Sequence, residues 1–256
     1  METQKIVILG CGNVASYFAD RFMQMNHIII QVYHPELQKA TSFVKPYQAQ
    51  AIAQLSEINK EADLYFIAVK DSAIEALADE MPKVKGIVVH TSGAIKLAAL
   101  NMHARAAVFY PLQTFTKGIK TANQDFPLLI ESKEKADENY LEQLAVKMGM
   151  KVHFINSNQR TEIHLAAVFA ANFSNHCIKI GFDLMASNNH TPEMLLPLIK
   201  ESIHKLNYIS PAKAQTGPAV RHDDITIEKH LNMLNSDASL KLLYELLTKN
   251  IQSSNQ

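Results

Sequence analysis

Gly10-Cys11-Gly12-Asn13-Val14-Ala15 is a G-x-G-x-x-A turn that follows the apolar run Ile6-Val7-Ile8-Leu9 and precedes a helical pattern carrying Tyr17, Phe18, Phe22 and Met25. Each residue type has a use in holding a diphosphate. Gly10 lets the chain reverse tightly, Gly12 lets the backbone approach a pyrophosphate, and the small Ala15 lets helix pack close on strand. The free N–H groups of the first helical turn and the positive end of its dipole then face the phosphates. Any tight strand-to-helix turn uses glycine, so the pattern gains weight from its strand–turn–helix setting. Residues Gly10 to Ala15 are therefore expected to bind a dinucleotide.

The end of the second apolar strand bears on which dinucleotide. An NAD-preferring fold places Asp or Glu there, as do methyltransferases that bind S-adenosylmethionine. Here the strand ends Val32-Tyr33-His34-Pro35, with no acid before Glu36. That favours NADP, with NAD possible, and His34 as a donor to a 2′-phosphate. Lys39 is in reach if the next helix begins at Pro35. Ligands of open α/β sheets lie beyond the carboxyl ends of the strands, which brings in three further segments. Val69-Lys70-Asp71 is placed to run along ribose and phosphates, although Lys70 itself reads more simply as a solvated charge. His90-Thr91-Ser92-Gly93 offers short polar side chains beside a glycine, suited to nicotinamide or a substrate carbonyl, or else an ordinary polar turn. Phe109-Tyr110-Pro111-Leu112-Gln113 is the third.

A second concentration of chemistry lies on one long helical pattern. At about 100° per residue, Thr161, His164, Asn172, Asn175, His176, Lys179 and Asp183 fall in a stripe roughly 120° wide, with almost everything else apolar or small. A helix apolar over so much of its circumference is expected to be largely buried. Its polar stripe then lines a cleft or forms a seam with a neighbouring helix or a dimer partner. His164 is the first choice to handle a proton, because an imidazole exchanges one near neutrality, and His90 is the second. Asn172 and Ser92 would orient a substrate oxygen. Lys179 and Asp183 read as a solvated or interface pair at i, i+4. Near Gly217-Pro218, Arg221 either clamps an anionic substrate or pairs with Asp223.

The elements that must position these residues fall into two blocks. Strand patterns at 5–9, 28–33, 48–52, 64–69, 86–90, 106–110, 128–130 and 151–154 alternate with helical ones at 14–25, 35–44, 72–81 and 134–148. Alternation of this kind implies βαβ units and a mostly parallel, doubly wound sheet. Ser72-Ala73-Ile74-Glu75 has the spacing of a capping box. Beyond Asn156 the strand signals stop, and helices are expected at 158–186, 193–206, 224–234 and 237–251. Thr191-Pro192-Glu193 marks a restart with an N-cap and an N1 proline. The expected class is α/β: a Rossmann-like domain over 1–156 and an all-α domain over 157–256.

Composition removes several functions. Twenty-five basic residues balance twenty-five acidic ones, so no global field attracts nucleic acid or an anionic membrane. No apolar run is long enough to span a bilayer, and no signal-peptide pattern precedes the first strand. Cys11 and Cys177 make neither a metal set nor a disulfide framework, which fits free thiols in the cytoplasm and no metal site.

On the Gly10–Ala15 turn, His90-Thr91-Ser92-Gly93, Phe109-Tyr110-Pro111, His164-Leu165-Ala166-Ala167 with Asn172, and Gly217-Pro218 through Arg221 and Asp223, the chain resembles a bacterial family that joins a Rossmann-like domain to a helical domain of unknown function. Members are labelled as candidate NADP oxidoreductases. More distantly it is similar to pyrroline-5-carboxylate reductase and the beta-hydroxyacid dehydrogenases. The resemblance implies a nicotinamide pocket closed by the helical domain and a homodimer built through it. It also shows two departures: His34 stands where related sequences often carry arginine, and Lys179 shares the helix but not the motif of the dehydrogenases' catalytic lysine. The expectation is an oxidoreductase moving a hydride between NADP and a small carbonyl, imine or hydroxy compound. The competing expectation is a non-catalytic NADP(H)-binding or redox-sensing protein that acts through its helical domain.

Overall fold

Strand-forming runs that are apolar at every position, rather than at alternate ones, must be buried on both faces. That is what the first half of the chain builds in a computed structural model, which describes residues 2–119, 121 and 125–254. The elements, in order, are β1 (Lys5–Leu9), α1 (Asn13–Gln24), β2 (Ile28–Tyr33), α2 (Leu37–Val44), β3 (Gln50–Ile52), β4 (Leu64–Ile67), α3 (Ile74–Glu80), β5 (Ile87–His90), β6 (Ala106–Pro111), β7 (Pro127–Ser132), α4 (Lys135–Lys147), β8 (Lys151–Phe154) and α5 (Ser157–Ala167). The strands form one sheet in the order β3-β2-β1-β4-β5-β6-β7-β8. Only β7 departs from parallel pairing, running antiparallel to β6, while β8 is again parallel to β7. The sheet is thus Rossmann-like and mostly parallel, with its order reversing at β1 and β4, where such folds bind ligands.

Ile6 and Ile8 face one side with Phe18 and Phe22 of α1, Phe66, Phe109 and the buried face of α4. Val7 and Leu9 face the other with Tyr65, Ile67, Ile74 and Leu77. The phenylalanines meet edge-on or tilted, with ring centroids 5.0 Å apart for Phe18–Phe66 and 5.4 Å for Phe22–Phe66. Arrangements of this kind add to area burial.

Local expectations were corrected at several helix starts. The helix after β2 begins at Leu37 rather than Pro35, with Glu36 as its N-cap residue. The capping box at Ser72–Glu75 does not form: a 3-10 turn over Asp71–Ala73 leads into α3, and neither start carries a side-chain cap bond. Ser72 is thereby inside the helical path rather than at its entrance. Thr191 also makes no cap bond, and Pro192–Leu195 is a 3-10 turn.

The chain divides into two compact units, Met1–Asn172 and Phe173–Gln256. The division falls later than the 156/157 boundary expected from the loss of strand signals, because α5 is bonded into the sheet unit. The expected single helix over 158–186 is interrupted as well. Val168–Phe173 is a π-helix with wider i→i+5 turns, so one 100° wheel cannot be carried across it. The second unit holds α6 (Ser174–Ser187), α7 (Leu196–His204), α8 (Pro211–Ala214), α9 (Asp224–Met233) and α10 (Ala238–Ser254), none of which contains a buried residue. The expectation of a largely buried helix is therefore overturned within the single chain. Leu165 and Phe169 are 59% and 63% exposed, and Phe173 is 50% exposed. Lys179 and Asp183 do form their exposed i, i+4 ion pair, at 2.5 Å. Asp223 does not pair with Arg221 but caps α9, accepting from the Thr226 backbone N–H at 3.1 Å and its hydroxyl at 2.8 Å. His230 Nδ1 and the Tyr244 hydroxyl tie α9 to α10 at 2.8 Å.

Candidate functional site

The glycine turn does what its residue types require, and the two glycines do it for different reasons. Gly10 has φ +112°, and a Cβ there would sit 2.2 Å from the Ala68 backbone oxygen, so β4 packs directly against it. Its N–H donates to the Tyr33 carbonyl at 2.9 Å, closing the turn onto β2. Gly12 has ordinary dihedrals, and a Cβ built there meets no atom of the described residues within 4 Å. Among those residues nothing demands glycine at that position, and the space in front of it is open. Gly12 is the N-cap of α1, with no side-chain cap bond, and the first turn carries no acid. The leading N–H groups of α1 thus point outward unblocked, and an anion fits them. Asn13 is held beside them by its Nδ2 donating to the Phe115 carbonyl at 2.9 Å. Ala15 is fully buried.

These residues open one end of a groove of about 1430 Å³. Of the expected cofactor residues, it is lined by Gly10, Cys11, Gly12, Asn13, Val14, His34, Val69, Lys70 and Thr91, together with Lys39 and Ser42. Ala15 and Gly93 lie outside that lining. His34 Nδ1 accepts the Glu36 backbone N–H at 3.0 Å, which places the proton of the neutral ring on Nε2 and makes that nitrogen a donor. Lys39 is committed to Glu36 at 2.6 Å. Burial pushes the Cys11 thiol up to about 11, opposed by Lys39, so it lines the groove as a neutral side chain.

At the far end, the β5 loop behaves differently from the expectation for His90. That side chain is fully buried, and its Nδ1 accepts the Ser92 backbone N–H at 3.2 Å. Burial first, and the Arg160 charge second, push its pKa down to about 3, with the Lys96 backbone opposing. His90 is a neutral part of the turn, not a group that exchanges protons near neutrality. Ser92 lines the groove, and its Oγ accepts the N–H groups of Ala94 and Ile95 at 3.1 and 3.0 Å, leaving its own proton to donate.

The acid limb of stability follows from His90. A histidine held neutral in the folded state and ordinary when unfolded contributes stability that is complete above pH 6.5 and is lost progressively as pH falls towards 3. His90 alone should cost about 2 kcal/mol between pH 7 and pH 5. His27 and His103, both lowered chiefly by burial, act in the same direction. Urea unfolding at the two pH values checks this, and His90→Asn should recover part of the loss; equal midpoints would contradict it.

His164 meets the sheet through Tyr110. The Tyr110 hydroxyl and His164 Nδ1 are 3.1 Å apart, and the rings meet edge-on at 5.9 Å. Gly93 presses against both: a Cβ there would lie 2.5 Å from His164 Nδ1 and 2.8 Å from Tyr110 Cζ. The glycine of the His90–Gly93 segment is thus required by close approach, not by its dihedrals. Burial raises the Tyr110 pKa, with Asp71 raising it further and Arg160 opposing. Gly93 follows Ser92, which lines the groove, so its contact with Tyr110 and His164 brings that pair next to the Thr91–Ser92 end, although neither ring lines the groove itself. Asn172 lies in the π-helix and is exposed.

Two residues escaped the sequence reading. In sequence Tyr110 reads only as part of a turn, and Arg160 carries no mark of a role. Arg160 is 1% exposed and pairs with Glu131 at 2.5 Å. Its neighbours hide it: 156–162 is polar throughout, so a charge one helical turn before His164 reads as a solvated side chain. Among the described residues no cluster of His, Cys, Asp or Glu is arranged to hold a metal ion, and no helix is long and apolar enough to cross a membrane.

Sheet order, glycine turn and groove define a dinucleotide-binding protein of the Rossmann class. Residues 5–92 match the family described as NADP oxidoreductase, coenzyme F420-dependent, and residues 126–251 match a domain of unknown function, DUF2520. The chain is 33% identical to the candidate NADP oxidoreductase BF3122 from Bacteroides fragilis, with 98% of each chain covered and a TM-score of 0.91. It belongs to that family. The fold is shared more widely, at 14% identity in both of two further cases. One is 1-pyrroline-5-carboxylate reductase from Streptococcus pyogenes, with a TM-score of 0.64 and coverage of 98% and 99%. The other is a reductive aminase from Aspergillus terreus, in complex with NADPH and ethyl-5-oxohexanoate, with a TM-score of 0.71 and coverage of 97% and 93%. No curated protein matches the chain.

Proposed function

We propose that the protein is an NADP-dependent oxidoreductase acting on a small carbonyl, imine or hydroxy compound. The observation that carries this reading is the empty space before Gly12, framed by the uncapped start of α1 at the reversal point of the sheet. NADP supplies the hydride chemistry when bound. The Gly10–Ala15 turn would hold its diphosphate, His34 Nε2–H would donate to the 2′-phosphate, and Val69, Lys70 and Thr91 would flank the path towards Gly93.

The protein's own task is then to orient a substrate and handle one proton. His164 is built for the second. When protonated, it donates Nδ1–H to the Tyr110 oxygen and has Nε2–H left to give. Once Nε2–H has been given up, the neutral ring keeps its proton on Nδ1 and goes on donating to the Tyr110 oxygen. One hydrogen bond thus serves both states, and the raised Tyr110 pKa keeps its hydroxyl protonated throughout. The Ser92 hydroxyl and Asn172 are the candidates to orient a substrate oxygen. The test is stopped-flow mixing with NADPH deuterated at C4 and a panel of cyclic imines, ketones and aldehydes. Transfer of deuterium to one class supports the reading, and no consumption of NADPH across the panel contradicts it. NADH should serve markedly less well, because it lacks the phosphate His34 would meet.

A homodimer through the helical unit is the second part of the reading. Leu198, Met194 and Ile225 are 64%, 69% and 85% exposed, in a unit whose helices hold no fully buried residue. Apolar exposure on this scale marks an association surface. Sedimentation equilibrium should give twice the 28.6 kDa chain mass; a monomer at micromolar concentration would count against it. The unpaired Cys11 and Cys177 fit a reducing, cytoplasmic setting.

A further inference from the structure

Arg160 is the largest fully buried side chain among the described residues. A buried guanidinium is costly unless it is hydrogen-bonded, and here Nη1 and Nη2, though not Nε, join three separate segments. Nη1 donates to Glu131 Oε2 on β7 at 2.5 Å, and Nη2 donates to the Ile95 carbonyl at 2.6 Å and to Ser157 Oγ at 3.2 Å. The Ser157 hydroxyl completes the ring. It donates to Glu131 Oε2 at 2.7 Å and accepts the Leu97 N–H at 3.0 Å. The loop after β5, the end of β7 and the first turn of α5 are therefore fastened at one point.

That point lies one helical turn before His164 on α5 and two residues after Gly93 on the loop. The contact between Gly93 and the His164–Tyr110 pair leaves no slack, since even a methyl group would overlap it. We propose that Arg160 is a positioning residue: with Glu131 and Ser157 it clamps the 92–97 loop to α5, and so sets where His164 and Tyr110 stand relative to Gly93. Its charge acts on the same pair. Tyr110 feels Arg160 lowering its pKa and Asp71 raising it, with His164 its hydrogen-bond partner. The inference rests on the proposed use of His164, but its structural half can be read without turnover.

The test compares wild type with Arg160→Lys, which keeps the charge but not the fork, and with Arg160→Met/Glu131→Leu, which removes both charges and keeps an apolar filling. The double variant guards against misfolding, because replacing a buried pair whole is tolerated far better than breaking it. In the full-length protein, a nuclear Overhauser contact between the Gly93 α-protons and the His164 ring should be present in wild type and lost in both variants. Phenolate formation at Tyr110, assigned by difference against Tyr110→Phe, should move to higher pH in the double variant and not in Arg160→Lys. Turnover should fall by about 10- to 100-fold in both variants, with NADPH affinity within about twofold of wild type. An unchanged Gly93–His164 contact and an unchanged Tyr110 titration would overturn the clamp. Wild-type protein that reduces nothing would overturn the function reading instead, leaving the contact and the titration to decide the clamp.

Discussion

Gly12→Val should fold and lose NADPH, whereas Gly10→Ala should lose the fold. Both residues sit in one six-residue turn, where the sequence assigns Gly10 the tight reversal and Gly12 the approach to a pyrophosphate but no cost to either. The structure separates them. A side chain at Gly12 enters space that no atom of the described residues occupies, so the internal penalty is the poorer helix cap, about 1 kcal/mol. The isopropyl group would stand where the diphosphate must approach the first N–H groups of α1. Loss of that contact should weaken NADPH binding by about 100-fold, roughly 2.7 kcal/mol. At Gly10 a methyl group meets the Ala68 backbone oxygen at 2.2 Å, on a residue with φ +112°. Backbone cannot swing aside as a side chain can, and the conformation disfavours any Cβ. The expected loss is about 3 kcal/mol or more. Urea midpoints and calorimetric titration of the two variants check this; Gly12→Val binding NADPH as wild type does would contradict it.

His164→Ala should lower turnover by about 10²- to 10³-fold and leave NADPH affinity within about twofold of wild type. The imidazole lies outside the lining of the groove, so cofactor binding has no reason to change. Its contact with Tyr110 and Gly93 is the arrangement a proton-handling group requires: one nitrogen fixed by a hydroxyl, the ring pinned by backbone. Gly93→Ala should act in the same direction, because its methyl group would push the ring off Tyr110. Tyr110→Phe should cost less, about 10-fold, since it removes the partner and leaves the imidazole. Steady-state rates at saturating NADPH distinguish these. Full activity in His164→Ala would remove the side chain from the mechanism.

The parts of this molecule that were legible in its sequence are those dictated by short-range constraint. The glycine turn, the run of two-sided apolar strands and the His34 strand end each follow from a few adjacent residues, and the mostly parallel, doubly wound class follows from the alternation of strands with helices; the strand order, with β7 antiparallel, does not. What was not legible depended on contacts distant in sequence. His90 reads as a reactive side chain at a strand end, but only the tertiary structure shows it sealed beneath the loop with Ser92 occupying its Nδ1. Arg160 reads as a surface cation until Glu131 and Ile95 are seen around it. The polar stripe failed for a different reason. A wheel assumes one helical repeat, and the π-helix at Val168–Phe173 breaks that repeat in the middle of the pattern. Burial of the same helix was misjudged because apolar circumference states what must eventually be covered, not that the same chain covers it.

Every proposed role here depends on a diphosphate being held by the backbone at the start of α1. Isothermal titration of NADPH into the full-length protein tests that without assuming any substrate. Saturable binding in the micromolar range or tighter, one molecule per chain and clearly weaker for NADH, is the predicted result. No measurable affinity for either dinucleotide would contradict it.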